Sequence, residues 1–369
     1  MERIQKIIIN SFRGINSLEL NNLSQINIIT GDNNCGKTSV LEVLESFRQP
    51  DDIVMWNSLT RRAALTPARF GMSIFEGICD LFNVNLDEKK LEYVLETEND
   101  VLRLEARARE SIEEVSGSQY ADLAGMYVPE EHRQEMEQQT REVTRLWFDV
   151  TLNGKQIVKQ KIYDVQRYTT RGLIKRKQEL SENIVYISPI RHATGKVFLS
   201  EVLDNPELYE EMLAVLREYD ENVISINYDK DIENTMGEGV YKILSKSHRK
   251  ALPLNVYGDG MKKAILLMSA VVKAKNGILL LDEFETAIHT SAMDKTFRWI
   301  LETCKKLNVQ VFMTSHSKEA IDKVLKCSPE LTNEITVYTM YKNENETVVR
   351  RLVGEEAIEV QDEMGLELR

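Results

Sequence analysis

Gly31-Asp32-Asn33-Asn34-Cys35-Gly36-Lys37-Thr38 is the stretch that decides the reading of this chain. It fits the pattern G-x-x-x-x-G-K-[ST] of a phosphate-binding loop, and its flanks are those that such a loop needs. The β-branched run Ile26-Asn27-Ile28-Ile29 predicts a strand feeding into it. The spacing of Val40, Leu41, Val43 and Leu44 predicts a helix leaving it. Two glycines let backbone N–H groups fold around phosphates, and the helix start adds its positive end. ATP is the expected ligand, cradled by Gly31, Asn33, Asn34, Gly36, Lys37, Thr38 and Ser39. Lys37 would reach the β- and γ-phosphates, and the Thr38 hydroxyl would ligate Mg²⁺.

Working outward, Ile278-Leu279-Leu280-Leu281-Asp282-Glu283 is an apolar strand that ends in two carboxylates. A buried strand delivers Asp282 to the Mg²⁺ shell beside Thr38. Glu283 is then placed to polarise the attacking water as general base. Val311-Phe312-Met313-Thr314-Ser315-His316 is a second apolar strand ending in a histidine. At the carboxyl edge of the same sheet His316 would hydrogen-bond the γ-phosphate and the attacking water. Tyr257-Gly258-Asp259-Gly260-Met261-Lys262-Lys263 opens a helix about one helix-length before the acidic strand. Its small residues expose N–H groups to an anion, and because the 31–38 loop already serves this chain's own ATP, Gly258, Asp259 and Gly260 fit the ATP of a second subunit.

Composition narrows the class. The 42% hydrophobic content gives ample core, so wholesale disorder is excluded, and 369 residues suffice for two or three domains or one large α/β unit with insertions. A net charge of −12 argues against a protein that coats nucleic acid over its whole surface. No apolar run is long enough to span a bilayer, and the first residues lack a signal-peptide core, so no membrane association is expected. Cys35, Cys79, Cys304 and Cys327 show no C-x-x-C spacing, which disfavours disulfides and structural zinc and makes the cytoplasm the expected compartment.

The expected fold class is α/β. Residues 1–50 and 184–369 should form the core, split by a helical and β-hairpin insertion over 51–183. Phe70, Ile74, Phe75, Ile78, Leu81 and Phe82 stand at helical spacing. Lys90 to Arg109 reads as a hairpin turning at Glu98-Asn99-Asp100, and a charged helix is expected from Pro129 to Arg145. A second hairpin follows, Trp147 to Leu152 and Lys155 to Ile162, joined by Asn153-Gly154. Lys175-Arg176-Lys177 reads as a solvated loop. Strands at 184–188, 223–228, 239–247, 277–281 and 310–314 alternate with helices at 206–219, 259–274, 288–307 and 318–325, which implies a parallel or mixed sheet covered by helices. No heptad run is long enough for an extended coiled coil.

The order of these motifs resembles the ABC-type ATPase head, in particular its RecF-like, SMC-like and OLD (overcoming lysogenization defect) branch. The residues that carry the likeness are Ser11-Phe12-Arg13-Gly14, Gly31 to Thr38, Tyr186-Ile187-Ser188-Pro189 with Arg191, Gly258 to Lys262, Leu281-Asp282-Glu283, Ser315-His316 and Met364 to Arg369. The resemblance implies a mixed β-sheet core with an antiparallel β subdomain, and a head-to-tail homodimer or higher oligomer. It places Arg13 near the adenine or ribose, makes Gly258 and Gly260 the signature that reaches the partner's γ-phosphate, and makes Glu285 to His289 the D-loop. The signature lacks the usual Leu-Ser start, His289 stands where transporter heads carry an aspartate, and no Q-loop glutamine can be assigned. OLD nucleases continue into a TOPRIM domain that this chain does not show. The resemblance therefore implies an ATPase that regulates or scaffolds a separately encoded effector, a nuclease by analogy, as in two-component antiphage defence systems. The alternative is a RecF-like repair clamp with DNA as its partner.

Overall fold

In the computed structural model the described residues are 2–60, 73–166, 183–189, 197–233, 239–286, 288, 290–343 and 346–362. They contain fifteen strands. In chain order these are β1 (Ile4–Phe12), β2 (Ile15–Leu20), β3 (Ile26–Gly31), β4 (Lys90–Thr97), β5 (Val101–Ser116), β6 (Thr140–Leu152), β7 (Lys155–Tyr163), β8 (Ile184–Ile187), β9 (Val223–Glu233), β10 (Gly239–Ser245), β11 (Leu252–Pro253), β12 (Ile278–Leu281), β13 (Gln310–Thr314), β14 (Ile335–Asn343) and β15 (Glu346–Val353).

One six-stranded sheet, ordered β15-β14-β3-β13-β12-β8, is parallel except for the β14–β15 hairpin. Its central strands are buried on both faces, which is why they read as unbroken apolar runs rather than as alternating ones. Ile28, Leu279, Leu281, Val311 and Met313 face a core packed by the helices Pro206–Leu216, Asp259–Lys273, Thr290–Lys306 and Lys318–Lys326. Ile29, Leu280 and Phe312 face a second core. A second six-stranded sheet, β2-β1-β4-β5-β6-β7, is antiparallel throughout. The three short strands β11-β10-β9 form a third. The mixed sheet and the antiparallel β subdomain expected of an ABC-type head are both present.

The phosphate-loop helix, Lys37–Ser46, shares the second core with both large sheets. Val40, Leu41, Val43 and Leu44 pack with Ile7, Ile9 and Phe148 of the antiparallel sheet and with Ile29 and Phe312 of the mixed one. Even its acids are buried, Glu42 at 2% and Glu45 at 3% exposure. Each has an arginine: Arg13 Nε lies 3.1 Å from Glu42 Oε2, and Arg48 lies 3.4 Å from Glu45 Oε1. Residues 51–183 supply β4 to β7 to the sheet that β1 and β2 begin, together with the short helices Ile53–Ser58, Ile74–Cys79, Gly117–Leu123 and Glu130–Glu137.

Two expectations need correction. The charged helix expected from Pro129 to Arg145 stops at Glu137, and β6 begins at Thr140. Pairing of Thr140–Arg145 with Ser116–Ser111 of β5 overrides the helix propensity of Arg141 and Glu142. For the same reason the first hairpin extends beyond Arg109, to Ser116. Phe70, Lys175-Arg176-Lys177, Arg191, His289 and Met364 to Arg369 lie outside the described residues.

Candidate nucleotide site

The loop takes its shape from backbone that only small residues allow. Gly31 has φ +132° and Gly36 φ +103°, with Asn34 between them at φ +63°. A Cβ on Gly31 would lie 2.0 Å from the Met340 carbonyl oxygen of β14, so strand and loop touch without a side chain between them. Asn33 and Asn34 are exposed and Ser39 is buried. Gly36 caps the following helix without any side-chain bond, which leaves its first N–H groups to an anion.

Lys37 is buried, and its ammonium donates to the carbonyls of Gly31 and Asp32, both at 2.7 Å. The Cys35 sulfur lies 3.7 Å from it. Burial pushes the Lys37 pKa down, while the nearby Cys35, Asp32 and Asp282 hold it partly up. The loop's own carbonyls thus hold the ammonium inside the loop. Cys35 itself is 2% exposed and packs in the core.

The acidic residues reach the loop because β3, β13 and β12 are adjacent and parallel, so their carboxyl ends open on one edge. Thr38 Oγ1 donates to Asp282 Oδ1 at 3.1 Å. Thr314 Oγ1 donates to the same oxygen at 2.6 Å, and the Tyr186 hydroxyl donates to Asp282 Oδ2 at 3.2 Å. Asp282 is 4% exposed, so this carboxylate is oriented by three hydroxyls. Glu283 turns out of the strand with φ +48°, and its N–H donates to Thr314 Oγ1 at 2.9 Å. One threonine therefore fixes both acids.

His316 follows β13, half-buried, with its N–H donating to Glu285 Oε1 at 3.0 Å. Arg13 has φ +51° and is held inward: one guanidinium nitrogen pairs with Glu42 and another donates to the Leu59 carbonyl at 2.5 Å. Gly258 and Asp259 are exposed at the start of the helix Asp259–Lys273. Nothing lies within 4 Å of where a Gly258 Cβ would stand.

Thr38 and Asp282 offer a hydroxyl and a carboxylate, hard oxygen donors suited to Mg²⁺. Among the described residues no group of three or more His, Cys, Asp or Glu side chains could hold a metal. An ion here would depend on phosphate oxygens and water for its other ligands, the usual arrangement for Mg²⁺ at a nucleotide. Sequence reasoning gave no role to Thr314, Tyr186 or Lys263. Thr314 was legible as the last residue of an apolar strand, but its bridging of two acids depends on a strand neighbour.

Lys263 is 1% exposed, and burial pushes its pKa down to about 7 despite Glu285 and Glu283 nearby. In the unfolded chain it returns to the ordinary value of 10.5. Between those values the unfolded state holds more protons, so stability should rise with pH from about 7, with a slope approaching about 1.4 kcal/mol per pH unit. Above the ordinary thiol value of 9.0 the rise should fade, because burial pushes Cys79 and Cys327 up to about 12 and the unfolded thiols lose protons first. Urea unfolding across about pH 6 to 9 reads this, and Lys263→Met should flatten the rise. A native protein with no rise in that window would mean that Lys263 stays charged in the fold.

Comparison with known proteins adds the following. Residues 127–322 match the family model described as "AAA domain, putative AbiEii toxin, Type IV TA system", and residues 3–192 match the AAA ATPase domain model. A Helicobacter pylori protein named ATP/GTP phosphatase is 22% identical over 384 aligned residues, covering 95% of this chain and 96% of that protein. An uncharacterized protein of Methanocaldococcus jannaschii is 30% identical over 112 residues, 30% of this chain and 98% of that one. Among solved structures, an SMC head bound to the C-winged helix domain of ScpA aligns with a TM-score of 0.49 and 12% identity, over 96% of this chain and 99% of that chain. An Smc head domain with an extended coiled coil, bound to the C-terminal domain of ScpA from Pyrococcus furiosus, aligns with a TM-score of 0.49 and 11% identity, over 99% and 100%.

Proposed function

Because this chain belongs to the AAA ATPase domain family and hydrolyses ATP, we propose that it works as an ABC-type head, two copies closing head to tail around ATP. The observation that carries this reading is the meeting of Thr38 and Asp282 at the shared edge of β3, β13 and β12, with Glu283 and His316 following the same strand ends. In that reading Gly31, Asn33, Asn34, Gly36, Lys37, Thr38 and Ser39 bind the phosphates, and Arg13 braces the loop helix beside the nucleotide. Thr38 and Asp282 hold Mg²⁺, which neutralises charge on the phosphates when bound. Glu283 accepts the proton of the attacking water, and His316 orients that water and the γ-phosphate. Gly258 and Asp259 are exposed and Gly260 is half-buried at a helix start, and together they fit the γ-phosphate of the partner copy.

The task of this ATPase, in our reading, is to hold and release a separately encoded effector in antiphage defence, with a nuclease as the effector class. The net charge of −12 favours a protein partner over nucleic acid. The match to a family described as a putative toxin of a Type IV TA system is in keeping with a defence role. No described helix is long and apolar enough to cross a membrane.

The test is native mass of tagged Glu283→Gln protein from its own host, with and without Mg-ATP. A doubling on ATP, with a second protein bound in either state, is expected. A bare species that ignores ATP would sink the reading, and turnover stimulated by DNA would replace it with the repair-clamp alternative. Gly260→Asp sharpens the test. It adds a negative charge where the partner's γ-phosphate is to dock, so each chain should bind ATP normally while turnover falls by about two orders of magnitude. Mixing it with Lys37→Ala chains should restore ATP-dependent pairing, one ATP held per mixed dimer, which a site built within one chain could not do.

A further inference from the structure

The helix that starts at Gly258 and the turn that carries Glu283 are joined by one buried side chain. Lys263 stands about one helical turn beyond Gly258 and Gly260 and is almost fully buried. Its ammonium donates to the Thr286 carbonyl. Thr286 closes the turn that begins at Glu283, its N–H donating to the Glu283 carbonyl at 3.0 Å. The same turn is pinned from below by Phe284, which is fully buried and meets the Phe297 ring edge-on at 5.1 Å. The next residues continue the bonding, with the Ile288 N–H donating to the Glu285 carbonyl at 3.2 Å.

Glu285 extends this path to the last strand end. Its Oε1 accepts the His316 N–H, while its Oε2 is buried without a hydrogen-bond partner. The charges of Glu285 and Glu283 attract Lys263 and offset part of the cost of its burial. A buried amine near two acids costs desolvation, and an apolar residue would pack here more cheaply. The lysine therefore needs a reason other than stability.

We propose that Lys263 is a positioning residue that couples the Gly258–Gly260 helix start to the turn bearing Glu283 and, through Glu285, to His316. It rests on the ATP-site reading above and adds how one part of that site informs another. A shift of the helix start, of the kind that an incoming γ-phosphate would cause, moves Lys263 with it as a rigid body. The Thr286 carbonyl follows, and the Glu283 carboxylate is re-aimed. Hydrolysis on one chain is thereby made conditional on what the signature of that same chain has engaged. A turn free of this link would keep Glu283 active whether or not its own helix start had found a partner.

The variants are Lys263→Met, which keeps the stem and its packing, and Lys263→Arg, which restores a cation. Three readouts are taken on the full chain: thermal midpoint, turnover against ATP affinity, and hydrogen exchange of residues 258–263 and 283–288 with and without ATP. Lys263→Met should bind ATP within about threefold of the native protein and melt no lower, while turnover falls roughly tenfold to a hundredfold. Without nucleotide its 283–288 amides should exchange faster. With ATP the protection gained at 258–263 should remain and that at 283–288 should vanish. Lys263→Arg should recover part of both. Unchanged exchange at 283–288, or a fall in melting point and ATP affinity that parallels the fall in turnover, would overturn the proposal. Failure of the underlying site reading looks different: Lys37→Ala would still bind ATP, and the exchange of Lys263→Met without nucleotide would still report on the link.

Discussion

Glu283→Gln is expected to leave ATP bound and intact. The substitution keeps size and shape but removes the only charge on the turn's first side chain, so no proton can be taken from the attacking water. General-base catalysis contributes about 10² to 10⁴ in rate, and turnover should fall by that factor. The backbone should not notice. Glu283 sits at φ +48°, a strained place for a branched or bulky residue, but Gln meets it as Glu does. Its N–H bond to Thr314 involves no side-chain atom of residue 283. ATP affinity should therefore hold or tighten, because the closed dimer can no longer leave by hydrolysis. Single-turnover assays with radiolabelled ATP, read beside equilibrium binding, separate the two effects. Full activity in the variant would remove Glu283 from the chemistry.

Lys37→Ala carries the second large effect, on binding rather than on rate. Lys37 bonds two loop carbonyls and is buried, with its pKa pushed down by that burial. Removing it leaves the Gly31 and Asp32 carbonyls short of a donor but also relieves a buried charge, so the ATP-free protein should melt within a few degrees of the native one. The ATP-dependent rise in melting point should disappear. For a ligand at 100 times its Kd that rise corresponds to about 2.7 kcal/mol, so its loss is easily seen. Calorimetry with and without Mg-ATP makes the comparison. A variant that keeps the ATP-induced shift would show that the triphosphate lies elsewhere.

Much of this site could be read along the sequence, because its parts are contiguous. The loop declares itself by glycines at fixed offsets, and each strand that delivers an acid or a histidine is an apolar run with a polar end. The boundaries of β12 and β13 follow from that pattern to within a residue, and those of β3 to within two. What did not show is what depends on sequence-distant neighbours. Thr314 bridges Asp282 and Glu283 across two strands, and Tyr186 reaches Asp282 from a third. The buried acids of the loop helix, Glu42 and Glu45, break the amphipathic pattern because sheets cover the helix on both sides. Residues 140–145 mix the helix formers Arg141, Glu142 and Arg145 with β-branched Thr140, Val143 and Thr144, and pairing with β5 settles them as strand.

The position of β3 has a consequence for how the protein is made. Its two neighbours in the sheet are β13 and β14, which come from residues 310–314 and 335–343. Gly31 meets Met340 with no room for even a methyl group between them. While the ribosome is still translating the middle of the chain, the loop strand has no partner on either side, although the antiparallel sheet beneath it can already form. Contacts this distant in sequence form late. On the proposed site, the emerging polypeptide should therefore be blind to cellular ATP until nearly three hundred further residues have followed the loop, and a message cut short before β14 should yield a product that cannot fire.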